Sequence, residues 1–293
     1  MKLVSIAFAL FVFCTYLDTS YAFDWKKLHD FADNISLPQA LKELEANPDP
    51  LDALYVAGLV YFNIHKDAQA REIFIKMREI DPHSVGAMWG MAESLRRQHK
   101  LEEAAHILEE LIGLAPEYSP AYISLGYIRY IQMSFEDTVK LMLSVIKQGK
   151  DNVDKTNFVR AHCLYAGAKG MIAHYGGPLS KAVNGAAVMR HLRIAQDIQP
   201  DNIAVFFGMG SYYLLIPPIF GRDLDKALEY LEKAKQIDPL FPDVYVRLAQ
   251  VYKLKGDEDA YLAYLEKALA LDPRHEIALD IKNGTCNFIC VAE

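Results

Sequence analysis

The residue types most able to do chemistry in this chain are its cysteines and histidines, and their spacing limits what they could do. Apart from Cys14, there are three cysteines: Cys163, Cys286 and Cys290. In an oxidising compartment, two thiols separated by three residues are expected to form a short local disulfide. A bridge from the tail to Cys163 is the open alternative. The spacing is not the Cys-x-x-Cys of redox or zinc sites, and no His follows the pair to attach haem. Zinc would need partners such as His162, His174 or His191 at ligand distance, and no His-x-x-x-His brings two together. The nine histidines are scattered singly, as helix-surface and loop residues usually are. No Gly-x-Ser-x-Gly, P-loop or His-Glu-x-x-His occurs. Gly208-Met209-Gly210 and Gly176-Gly177 lie within or between helical patterns, so they read as close helix contacts rather than phosphate cradles. The expectation is a protein with no catalytic residues, no metal and no cofactor.

Composition narrows the partners. The net charge is −7, and it stays there without residues 1–22, because Lys2 and Asp18 cancel. With no Lys/Arg cluster to neutralise phosphates, nucleic acid is excluded as a partner. Hydrophobic residues make up 52% of the chain, ample for a core, and strand-like alternation is absent.

The elements follow from the stretch Ile203–Pro239, two apolar helical patterns around a loop rich in Pro and Gly. Gly210, Ala227 and Ala234 are small where two helices must touch, and Phe206, Tyr213 and Leu231 fill the gaps. Pro239 ends the second helix, since it has no N–H to donate. Such a pair has more apolar surface than it can hide alone. It has copies: Pro48, Pro82 and Pro116 are 34 residues apart, as are Pro239 and Pro273. One copy holds Gly58, Tyr61, Ala70 and Phe74; a second holds Ala92, Ala104 and Leu108; a weaker third holds Tyr122, Leu125 and Gly126. The last holds Tyr245, Leu248, Ala249, Tyr252, Leu265 and Ala268. These residues at a period near 34 resemble the tetratricopeptide repeat family, from about residue 38 to 273. Tyr261 and Thr138 stand where that family usually has Ala. The resemblance implies an all-α fold, a right-handed solenoid of antiparallel helix pairs with two enlarged repeats.

In chain order, residues 1–22 read as a signal peptide. Lys2 gives a positive start, LVSIAFALFVFC an apolar run of twelve, and Ser20-Tyr21-Ala22 a cleavage site. Export to a bacterial periplasm is the expectation; lipidation of Cys14 is the alternative, although Phe13 stands where a small residue is wanted. Residues 23–50 form a capping helix pair carrying Trp25, Leu28 and Phe31, and 51–152 hold three repeats. Residues 153–239 hold two enlarged ones, 240–273 the final repeat, and 274–293 a capping helix with a cysteine-containing tail. From Pro116 to Pro200 there are 16 residues more than two repeats need. They are expected in a long loop at 175–185, beside a second at 216–223.

In this family the first helix of each pair lines a concave groove. The resemblance places Asp52, Tyr55, Phe62, Trp89, Glu93, Arg96, Tyr127, Tyr130 and Phe207 there. Aromatic rings offer large rigid contact area, so a protein segment is the expected partner; the alternative is that the rings simply pack inside the solenoid. The Lys and Asn with which some members clamp a terminal carboxylate are absent, Leu59 being among the residues in their places. A narrower resemblance, over about 157–273, is to the periplasmic T-components of tripartite ATP-independent solute transporters. It implies a small solute and a pocket under the two long loops, lined by Tyr175, Tyr212, Tyr213, Phe220 and Arg222. Oligomeric state is not legible.

Overall fold

The computed structural model describes residues 23–46, 50–288 and 291. The expected signal peptide with Cys14, and also Pro48 and Cys290, lie outside the described residues. Among the described residues the chain forms fifteen α-helices and one 3-10 turn, with no strand. Short helices α1 (Trp25–Ala32) and α2 (Leu37–Ala46) come first. Antiparallel pairs come next: α3 (Pro50–Asn63) with α4 (Asp67–Ile80), α5 (Val85–Arg97) with α6 (Leu101–Leu114), and α7 (Ser119–Ile131) with α8 (Phe135–Gln148). After these, α9 (Lys155–Tyr175) pairs with α10 (Pro178–Ile198), α11 (Ile203–Leu215) with α12 (Leu224–Ile237), and α13 (Pro242–Leu254) with α14 (Glu258–Leu271). Helix α15 (Glu276–Asn283) is capped by the His275 side chain and stopped by Gly284 in the left-handed region. No described helix is long and apolar enough to cross a membrane.

The loop expected at 175–185 is not a loop. Helices α9 and α10 run 21 residues each, against 13 or 14 in the other pairs, and only Gly176-Gly177 separates them. Pro178 sits in the first turn of α10, where its missing N–H costs nothing. The extra residues therefore lengthen both helices by about two turns instead of forming a lid. At 216–223 the chain does turn, through a 3-10 segment Pro218–Phe220 and Gly221 at φ 97°.

The small residues do what the repeat demands. The ring of Phe74 on α4 is fully buried against α3 and α5. A Cβ on Gly90 would come within 2.1 Å of that ring, and one on Gly58 within 2.5 Å. Neither helix can retreat without opening its own pair.

The first helix is held by a buried polar chain. His29 Nε2 lies 2.7 Å from the Tyr55 hydroxyl, which also bonds that of Tyr118. His29 Nδ1 is 3.3 Å from Asn157 Nδ2, and Asn157 in turn donates to Asp154. Burial pushes His29 down from 6.5 to about 3, and burial pushes Asp154 up from 3.8 to about 6. The signs oppose. His29 loses its contribution as pH falls from 6.5 towards 3, whereas the protonated Asp154 gains as pH falls from 6 towards 3.8, so the two largely offset between pH 4 and 6.

Replacing Gly90 with Ala should destabilise the protein by about 2 kcal/mol, because the methyl must displace Phe74 from a filled site. The measurement is the urea midpoint; an unchanged midpoint would mean that the α4–α5 contact yields freely.

Candidate functional site

The site is built by turns that repeat with the chain. Just beyond the ends of helices α3, α5 and α7 stand left-handed residues: His65 at φ 57°, His99 at 58° and Met133 at 62°. The following amide reaches back to close the turn, as Lys66 N does to Tyr61 O at 2.9 Å and Lys100 N to Leu95 O at 3.0 Å. Glycine is usual at such a position, yet here two of the three carry an imidazole. His65 Nε2 lies 2.8 Å from Asp238 Oδ2. His99 Nε2 lies 3.0 Å from Asp272 Oδ1, and its Nδ1 lies 2.8 Å from Glu276 Oε1. Asp238 and Asp272 are the residues just beyond α12 and α14, one repeat apart, and each His–Asp pair spans 173 residues. The solenoid has curled until its first repeats meet its last, in register.

Carboxylate oxygens only accept, so the His99 contacts are complete when both ring nitrogens carry a proton. Burial works to raise the Asp238 carboxyl, but the hydrogen bond from His65 wins and holds it below the ordinary range. Further along the seam Tyr130 stacks on Phe288 with ring centres 6.3 Å apart, and the Tyr175 hydroxyl donates to the Asn287 carbonyl. Asp280 fixes that tail by accepting from Asn287 N at 2.9 Å and Phe288 N at 2.7 Å. Cys286 is disulfide-bonded and Cys163 is free, so the tail is not bridged to Cys163.

Closure turns the concave face into a cavity of about 1840 Å³. Of the residues expected in a groove, Phe62, Trp89, Glu93, Arg96, Tyr127, Tyr130 and Phe207 line it. Two expectations are corrected. Tyr55 is wholly buried under α1 by its bond to His29, and Asp52, at the start of α3, does not reach the cavity. The facing wall is supplied by the chain itself, through Asp243, Arg247, Asp272 and His275. A periodic reading of His65, His99, Asp238 and Asp272 would have revealed that closure, since both members of each pair recur at 34.

Charge in the wall is tightly tied. Trp89 Nε1 donates to Ser124 Oγ at 3.1 Å, and Ser124 donates to Glu93 Oε2 at 3.0 Å. Arg96 forks onto Glu93 at 2.9 and 2.6 Å, while Arg97 bonds Glu93 at 3.0 Å and Asp67 at 2.8 Å. Burial works to raise Glu93, but the two guanidiniums overcome it and hold the carboxyl at about 2. Arg96 also lies 4.6 Å above the Tyr127 ring, whose phenol burial and the nearby Asp243 push well up. Asp243 faces His275 at 3.5 Å. Arg247 is 6% exposed and donates to Gln250 Oε1 at 2.7 Å.

The five residues expected around a small-solute pocket are not brought together. Tyr212 and Phe220 line the cavity, but Tyr175 sits in a separate recess with Met133 and Phe135. Tyr213 stacks on Tyr230, and Arg222 donates to the Ile216 carbonyl. With 175–185 helical, there is no pair of loops to roof such a pocket. His162 and His191 meet at 3.0 Å between their Nδ1 atoms, yet no group of three metal-binding side chains exists among the described residues.

Replacing both His65 and His99 with Ala should open the ring while leaving helicity intact. Each pair is part-exposed and contributes no more than about 1 kcal/mol, so the repeats themselves should survive. Solution X-ray scattering reads the outcome as a larger radius of gyration; an unchanged radius would assign closure to the apolar seam alone.

Residues 242–275 match the tetratricopeptide repeat model. Over 238 residues, 81% of its length, the chain is 24% identical to the mitochondrial import receptor subunit TOM70 of Homo sapiens, covering 36% of that protein. Over 63 residues, 22% of its length, it is 36% identical to the TPR repeat-containing protein MJ1345 of Methanocaldococcus jannaschii, covering 20% of that protein. It thus spans about a third or less of these curated relatives. The crystal structure of a tetratricopeptide repeat protein from Parabacteroides merdae shares the fold, with a TM-score of 0.53, 17% identity, and coverage of 89% of this chain and 96% of that one.

Proposed function

Because the chain is a tetratricopeptide-repeat protein, we propose that it is a non-catalytic interaction module whose closed cavity receives a helical segment of a partner protein. The observation that carries this is the cavity together with its mouth. Ile219 and Phe220 stand 85% and 65% exposed there, beside Ile237 and Leu240, which are also exposed. So much apolar surface at one opening suits an entering partner. The volume of about 1840 Å³ exceeds the roughly 300–1,000 Å³ of ordinary small-molecule sites. A helix about 10–12 Å across would fill it with roughly four turns.

A helix suits the walls as well. Where Ile123, Leu164, Leu192 and Phe207 line it, the cavity offers an inserted backbone no side-chain hydrogen-bond partners, which favours a segment that satisfies its own N–H and C=O groups. This is recognition of an amphipathic helix in an apolar groove, with Trp89, Tyr127 and Tyr130 as rigid contacts. The leader-like residues 1–22 support placing this interaction in the cell envelope after export.

A photocrosslinking residue in place of Phe220 should give a discrete protein adduct in cells, since position 220 is exposed at the mouth. Adding Phe207→Asp inside the cavity should abolish that adduct without loss of circular dichroism. An undiminished adduct would put the partner on the rim alone and overturn insertion.

A further inference from the structure

Four arginines line the cavity, and they are not alike; Arg160 is exposed. Arg96 and Arg97 are each paired with carboxylate, Arg96 with Glu93 and Arg97 with Glu93 and Asp67. Arg247, on α13, is more than nine-tenths buried and lines the cavity, yet no described carboxylate forms an ion pair with it. Among the described residues its one hydrogen bond, to Gln250, goes to a neutral acceptor and leaves most of its N–H groups without a partner there. Asp243, one turn earlier on the same helix, faces His275 instead. Burial lowers the Arg247 guanidinium, and the attraction of Tyr130 and Asp243 does not make up the loss. Its charge reaches Tyr130 on α7, so it acts on the space between the two walls.

Burying an unpaired cation works against folding, and an apolar side chain of similar volume would be tolerated as well or better. Asp243 and Tyr130 feel this charge, but no described carboxylate meets it at ion-pair distance. We infer that the helical segment entering the cavity carries an aspartate or glutamate side chain that pairs with Arg247. The inference rests on the helical-segment proposal and names the polar group that such a segment must bring. A planar guanidinium offers a fork that matches a carboxylate with two parallel hydrogen bonds. The apolar surfaces around it set the rest of the ligand: an apolar helix with one acid near its middle, placed to meet α13. Where the inserted segment excludes water, that pair discriminates against the uncharged amide.

The probe is a fluorescently labelled 13-residue helical peptide rich in Ala and Leu with a single central Glu, compared with its Glu→Gln counterpart by anisotropy. The full-length protein should bind the Glu peptide roughly tenfold to a hundredfold more tightly. Arg247→Met should erase the difference while leaving the thermal midpoint equal or higher. Equal affinities of the two peptides for the unmodified protein would overturn the acid while leaving insertion standing. Binding of neither peptide would overturn helical insertion and the acid with it. A large fall in the thermal midpoint of Arg247→Met would show Arg247 to be a structural residue and overturn the inference on its own.

Discussion

The closed shape of this molecule rests on the contact between two histidine turns and two aspartate turns, with the tail seam alongside. A stack of helix pairs is normally open along its concave side, and its two ends never meet. Here the imidazoles of His65 and His99 project from the ends of α3 and α5 onto Asp238 and Asp272. Each contact alone is weak, because it is partly wetted. Both are carried by rigid stacks with a common repeat, so forming one places the other at little further entropic cost. Weak pairs in register can hold a shape that neither could hold alone.

Closure changes the meaning of the inner surface. In an open groove, Glu93 and its arginines would be a solvated charge cluster. In a closed ring they become the framing of a wall, bonded through Ser124 to the Trp89 indole. Glu93 serves two guanidiniums and Asp67 shares one of them, so that side of the cavity presents a finished surface. The opposite side does not. Arg247 is left with Gln250, and the contrast between the two walls gives the cavity a polarity.

The repeat was legible because its packing is intolerant. Gly58, Gly90 and Phe74 have few substitutes when a ring must lie where a Cβ on either helix would stand, so residue type and offset announce the fold. Three other features were not legible. Gly176-Gly177-Pro178 looks like the start of a loop, but a two-residue break ending in Pro is also how one helix hands over to the next. Residues 179–198 are mostly helix-compatible, so the extra length went into α9 and α10. Tyr55 occupies a groove place by its offset, yet α1, which belongs to no repeat, covers it. Arg247 carries no signal at all, because what distinguishes it is the lack of a carboxylate partner among the described residues.

The equal 173-residue span of the two closing pairs has an evolutionary consequence. Solenoids usually gain and lose copies freely, because each unit touches only its neighbours. In this chain a unit duplicated or deleted between α6 and α12 would throw both pairs out of step together, and no later adjustment at one end could restore them. Copy number inside the ring is therefore locked, and the lineage is free to lengthen only before α3 or beyond α15.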